Sequence, residues 1–197
     1  MRKIIAAAIG AALFGFTSAY AVPVTAEGTL SDGVTAFGAV SPDGDFDDPD
    51  SALSDYWYFS GNFGDTVTVT VNRLEEAFDP SFWVFAGMIT DTDFFNGVID
   101  GSDPGFIDFG DDEIPNPGPF GDPFAEFELT LPMTGIYTII VTNFLSGTDD
   151  GDGLFPYSIV ATNIDSTSEI PIPAAALIFP LGIAGLQIVR KRRKAKA

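Results

Sequence analysis

DTVTVTV, residues Asp65–Val71, is the stretch on which the fold turns. Val67, Val69 and Val71 share one face of an extended chain, and Thr66, Thr68 and Thr70 share the other. Successive side chains of a strand point to opposite faces, so this spacing predicts a strand with one face in a core and one in water. FAEFELTLP (Phe124–Pro132) repeats the pattern, with Ala125, Phe127, Leu129 and Leu131 turned inward and Glu126, Glu128 and Thr130 outward.

Working outward, DYWYFSG (Asp55–Gly61), PSFWVFAGM (Pro80–Met88), GIYTIIVTNF (Gly135–Phe144) and FPYSIVATN (Phe155–Asn163) are apolar or aromatic runs of strand length. Such unbroken runs are expected at more central positions of a sheet. With GVTAFGAV (Gly33–Val40) they bring the expected strands to seven, punctuated by Gly, Asp and Pro, with no helical spacing between them. The fold expected is all-β, an antiparallel β-sandwich or jelly roll over residues 22–164. Residues 89–123 break the rhythm as a long acidic insertion, and loops of that length in a compact domain are usually functional or disordered. Residues 165–169 read as a short polar linker.

Both ends read as processing segments. Arg2 and Lys3 precede an apolar run from Ile4 to Phe16 and an A-x-A site at Ala19-Tyr20-Ala21. This predicts a secretory signal peptide over residues 1–21, cleaved after Ala21. At the other end, residues 170–189 are apolar over about 20 positions, near the minimum for crossing a bilayer, and residues 190–197 are strongly basic. That order places the basic tail on the cytoplasmic side of a membrane.

Nine basic residues are thereby sorted: two in the signal peptide, six in the tail, and Arg73 between them. All 28 acids lie between Val22 and Glu169, so that body carries 28 negative charges against one positive, a net −27. A body of this charge repels nucleic acid, whose binding requires Lys and Arg against phosphate, and attracts cations. The chain has no cysteine and no histidine. Disulfides, Ser-His-Asp and Cys-His nucleophiles and His- or Cys-ligated zinc are therefore excluded.

IPIPAA (Ile170–Ala175), followed by ALIFPLGIAGLQIV and RKRRKAKA, resembles the PEP-CTERM class of sorting signals in its VPLPA-like form. That resemblance implies recognition by an exosortase, a membrane protease-transpeptidase of bacteria that make exopolysaccharide, with processing near Pro171 and Pro173. It further implies export, a transient stay in the inner membrane, and association with exopolysaccharide or a biofilm matrix. From about Ser41 to Asn163 the body resembles the bacterial pre-peptidase C-terminal domain. The resemblance rests on SDYWYFSGNFGDTVTVTV, DPSFWVFAG, FGDDE and FELTLPMTGIYTIIVTN, taken in that order. It implies a small non-catalytic β-sandwich that commonly binds calcium.

Three acidic clusters could supply the six to eight oxygens that calcium takes. Asp108, Asp111, Asp112 and Glu113, joined by Asp79 and Asp122, come first, because GDDE occupies the place of the family's Asp-Asp-Gly loop. Asp43, Asp45 and Asp47, with Asp48 and Asp50, are second, and Asp149, Asp150 and Asp152 third. None is an EF-hand: counted from Asp43, position 6 is Asp48 where glycine is needed and position 12 is Ser54 where glutamate is needed. Solvated acidic turns are the bland alternative, since Asp and Gly dominate turns for backbone reasons.

Tyr56, Trp57, Tyr58, Phe82, Trp83 and Phe85 fall inside strand-like runs and are expected in the core. Phe94, Phe95, Phe106, Phe109 and Phe120 lie in the insertion, which either folds back onto the sandwich or displays an adhesive patch. The functional expectation is an exported, non-catalytic surface or matrix protein stabilised by calcium. The alternative is a small enzyme acting on extracellular polysaccharide through paired carboxylates.

Overall fold

The computed structural model describes residues 23–50, 52–95, 97–111, 125–144 and 153–165, with 125–127 described by their backbone. The two processing segments, 1–21 and 170–197, fall outside the described residues. Among those that are described, no helix is long and apolar enough to cross a membrane.

The strands run β1 (Ala26–Thr29), β2 (Ala36–Val40), β3 (Asp55–Gly61), β4 (Thr66–Arg73) and β5 (Pro80–Ala86). After a 3-10 turn at Thr92–Phe95 come β6 (Phe106–Gly110), β7 (Ala125–Thr130), β8 (Gly135–Asn143) and β9 (Phe155–Thr162). They form a five-stranded sheet, ordered β1-β3-β8-β5-β6, and a four-stranded sheet, ordered β2-β9-β4-β7. The protein is all-β, with two sheets packed face to face.

The alternation at Asp65–Val71 reads as expected: Val67, Val69 and Val71 are fully buried. Leu129 and Leu131 are buried beside them, while Glu128 and Thr130 are exposed. β9 alternates in the same way, sending Phe155, Tyr157, Ile159 and Ala161 into the core. From the facing sheet come Trp57, Phe59, Phe82, Val84, Tyr137, Ile139 and Val141, which close one continuous hydrophobic core.

The sheets differ in what covers their outer faces. β3 is buried at every position and β8 and β5 at nearly every one. Their outward side chains Tyr56, Trp83, Phe85 and Ile140 lie under Val24, Ile89, Phe95 and Ile99, forming a second apolar layer. Strands buried on both faces read as continuous apolar runs and strands buried on one face as alternation. The four-stranded sheet keeps its threonine face toward water.

Two strands exceed the seven expected. β6 lies within residues 89–123, where FIDFG is too short and too interrupted by Asp and Gly to signal a strand. β1 is a four-residue edge strand, and it runs parallel to β3, whereas every other named pair is antiparallel. The wholly antiparallel expectation is corrected at this edge. A parallel pair needs a long crossover; here the chain leaves β1, crosses to the other sheet as β2, and returns as β3.

Candidate functional site

The register sorts the loops onto two ends. Gly61 pairs with Gly135, Thr66 with Thr130 and Thr68 with Thr162. The β1–β2, β3–β4 and β7–β8 loops and the exit from β9 therefore share one end. The β2–β3 and β4–β5 loops, Asp111 and Asn143 share the other. That second end holds Asp43, Asp45, Asp47, Asp48, Asp50, Glu75, Glu76, Asp79 and Asp111. It is the acid end of the molecule.

Of the favoured calcium cluster, Asp79 precedes β5, and its backbone N–H donates to Asn143 Oδ1 at 3.3 Å while its carbonyl accepts from Phe144 N at 2.7 Å. Asp111 follows Gly110, the partner of Phe82, so it sits near the start of β5 as Asp79 does. Asp108 is exposed opposite Val84, and its Oδ1 accepts from the N–H of Phe109 at 2.9 Å. Three residues of strand separate Asp108 from Asp111, about 10 Å. Asp112, Glu113 and Asp122 lie outside the described residues, as do Asp149, Asp150, Asp152 and the processing residues Ala19, Ala21, Pro171 and Pro173.

The second cluster has a structural occupation. Asp45 Oδ1 accepts from Phe46 N at 2.8 Å, Asp48 Oδ1 from Asp50 N at 2.8 Å and Asp50 Oδ1 from Ala52 N at 2.9 Å. These are side chains holding their own turn, the habit that makes Asp a turn residue. Asp43 donates its N–H to Ser41 Oγ, and Asp47 presents its carbonyl to Ile99 N at 2.8 Å. Among the described residues, no group of three or more acids is placed to hold one ion.

The same loop seals the outer aromatics. Phe46 stacks on Trp83, ring centroids 6.1 Å apart, and touches Phe109 and Phe144. The Trp83 indole donates to the Phe46 carbonyl at 2.5 Å, and the Tyr56 hydroxyl to the Pro49 carbonyl at 2.6 Å. Phe94, Phe95 and Phe106 pack around Phe85. Of the insertion's five phenylalanines, these three and Phe109 fold back onto the sheet, and Phe120 lies outside the described residues. Tyr56, Trp57, Tyr58, Phe82, Trp83 and Phe85 are all buried, as expected of core aromatics.

One acid escaped the sequence reading. Asp55, at the head of β3, is 7% exposed and is the one buried acid among the described residues. Its Oδ2 accepts from the Tyr157 hydroxyl at 2.6 Å and from the Ala39 N–H at 3.0 Å. Tyr157 in turn accepts from the Trp57 indole at 2.7 Å. This network ties β3 of one sheet to β2 and β9 of the other. Gly38 makes room for it, since a Cβ there would collide with the Tyr157 hydroxyl.

Burial pushes the Asp55 carboxyl up to about 7; the Tyr157 hydrogen bond opposes the shift, and the charge of Glu27 adds to it. Burial, reinforced by the charge of Asp55, holds the Tyr157 phenol well above its ordinary range. A carboxyl near 7 has the acidity of a proton donor. Its engaged oxygen, however, lies between packed sheets. A signal for it existed: Tyr157 occupies an inward position of β9, and a buried tyrosine hydroxyl calls for a partner.

No family model matches the chain, and no curated protein matches it. Solved structures similar to it include the pre-peptidase C-terminal domain of a collagenase from Bacillus anthracis. That match has 11% identity, a TM-score of 0.42, and covers 70% of this chain and 96% of that one. PliG, a periplasmic inhibitor of g-type lysozyme from Aeromonas hydrophila, has 17% identity and a TM-score of 0.43, covering 70% and 96%. CorA, a surface-associated copper-binding protein of Methylomicrobium album BG8, has 12% identity and a TM-score of 0.49, covering 71% and 98%. These likenesses assign no residue of this chain a role.

Proposed function

We propose that the protein is an exported, non-catalytic surface or matrix component. In this reading the β-sandwich is the mature body, residues 170–189 hold it briefly in the inner membrane, and an exosortase cleaves near Pro171 to Pro173. The mature body then associates with exopolysaccharide, and calcium relieves its self-repulsion at the acid end through Asp79, Asp111 and their neighbours.

The observation that carries the non-catalytic half is the disposition of polar and aromatic groups. The strand aromatics are packed in two apolar layers, and the one buried acid among the described residues is bound by a phenol and a backbone amide. An enzyme working through paired carboxylates needs two of them facing across an open cleft. The exported half rests on the sequence of the two ends.

Intact-mass measurement of native protein from exosortase-bearing cells tests the processing. The expected species begins at Val22 and ends between Pro171 and Pro173. A dominant species that keeps RKRRKAKA overturns the sorting step.

A further inference from the structure

The end opposite the acids carries three exposed apolar side chains on three separate loops. Val34 of the β1–β2 loop is 57% exposed, Phe63 of the β3–β4 loop 74% and Met133 of the β7–β8 loop 49%. The loops are built to hold them there. Phe63 N donates to Thr134 Oγ1 at 2.9 Å, Gly64 N to the Leu131 carbonyl at 2.9 Å, and Leu131 N to the Asp65 carbonyl at 2.9 Å. Asp32, Asp65 and Asp165 share this end; Asp65 Oδ2 accepts from Asn62 N at 3.1 Å, Asp32 Oδ1 accepts from Ile164 N at 3.2 Å, and Asp165 is half-buried.

The chain leaves the fold at the same end. Asp165 N donates to the Ser60 carbonyl at 2.8 Å, three residues from Phe63, and Ile164 is held by Asp32 of the β1–β2 loop. Between Asp165 and the apolar stretch that starts at Ile170 stand four residues, Ser166 to Glu169. Even fully extended, they span about 17 Å. The polar headgroup zone on one side of a bilayer takes up about 5–8 Å of that reach.

From this juxtaposition we infer that Val34, Phe63 and Met133 form a membrane-facing foot, which rests on the bilayer surface while residues 170–189 are embedded. The inference rests on the membrane-anchoring step proposed above. It commits to lipid because the tether is short and leaves from among the three loops, so the foot is the part of the body kept nearest the bilayer. Contact is apolar, since a body of net −27 gains nothing from anionic headgroups. The acid end points away into the surrounding medium.

The absence of cysteine makes the test direct. Spin labels are placed singly by Phe63→Cys, Met133→Cys and, at the acid end, Leu154→Cys, whose native side chain is 58% exposed. The full chain, signal peptide removed, is reconstituted into phosphatidylcholine vesicles. Labels at 63 and 133 should collide severalfold more with lipid-dissolved oxygen, relative to an aqueous nickel chelate, than the label at 154. A chain that floats with the vesicles while all three labels are equally open to water overturns the foot and leaves the anchor standing. Labels at 63 and 133 shielded from both quenchers mean a second copy covers this end, which also overturns the foot. A chain that does not float overturns the anchor, and the foot with it.

Discussion

At the residue scale the molecule turns on Asp55. Its folded-state acidity lies near 7 against an ordinary 3.8, so the folded protein holds this proton more tightly than the unfolded chain. Stability from this group is therefore complete below pH 4 and is lost as pH rises toward 7, by up to about 4 kcal/mol. Asp55→Asn keeps an acceptor for Tyr157 and Ala39 and cannot ionise. Urea midpoints of both proteins between pH 4.5 and 7.5 should show a steeper fall in the native chain, with the repulsion of the remaining acids common to the two. Parallel profiles would show that Asp55 does not titrate in this window. Nothing in SDYWYFSG marks this aspartate from the many turn aspartates, because its burial is imposed by β2 and β9, which arrive from elsewhere in the chain.

At the element scale, legibility followed solvent. β4 was readable because one of its faces meets water, and β9 would have been equally readable from its alternation. β3, β5 and β8 were recognisable as strands, but their continuous apolar character could not say what covers the outer face. The cover is contributed by the acidic loop through Phe46 and by the insertion through Phe94, Phe95 and Ile99. In that loop the carboxylates of Asp45, Asp48 and Asp50 accept from the loop's own amides. Phe46→Ala should open this layer and leave the inner core intact. Full burial of a phenylalanine is worth about 3–5 kcal/mol against alanine, so half-buried Phe46 should cost about 1–2 kcal/mol. In a Trp57→Phe background, Trp83 emission should shift to the red as water reaches the indole. An unchanged spectrum would mean the loop does not seal the sheet.

At the scale of the whole molecule, strand register gathers nine of the described acids at one end. The acid end is where calcium should act. For a site with an affinity typical of extracellular modules, about 0.1–1 mM, a tenfold excess of calcium adds about 1.4 kcal/mol. That is a Tm rise of about 3–6 °C for a body of this size. Melts with calcium, magnesium and chelator at matched ionic strength check this. Equal shifts from both ions would mean general neutralisation, and a calcium-specific rise should vanish in Asp111→Asn with Asp112→Asn. That gathering was not legible in sequence, where acids are spread from Glu27 to Glu169; strand register brings the nine together.

The strand order has a consequence in time. β8 is the middle strand of one sheet and β9 lies between β2 and β4 in the other, yet among the described residues they are the last two strands. A polypeptide emerging from its N-terminus therefore has no centre for either sheet until residues beyond Gly135 have appeared. Pairings that join distant parts of a sequence are slow, because loop closure must precede any gain from contact. Within β1 to β7 only the β1–β3, β4–β7 and β5–β6 pairs can form, and neither sheet closes until β8 and β9 arrive between them.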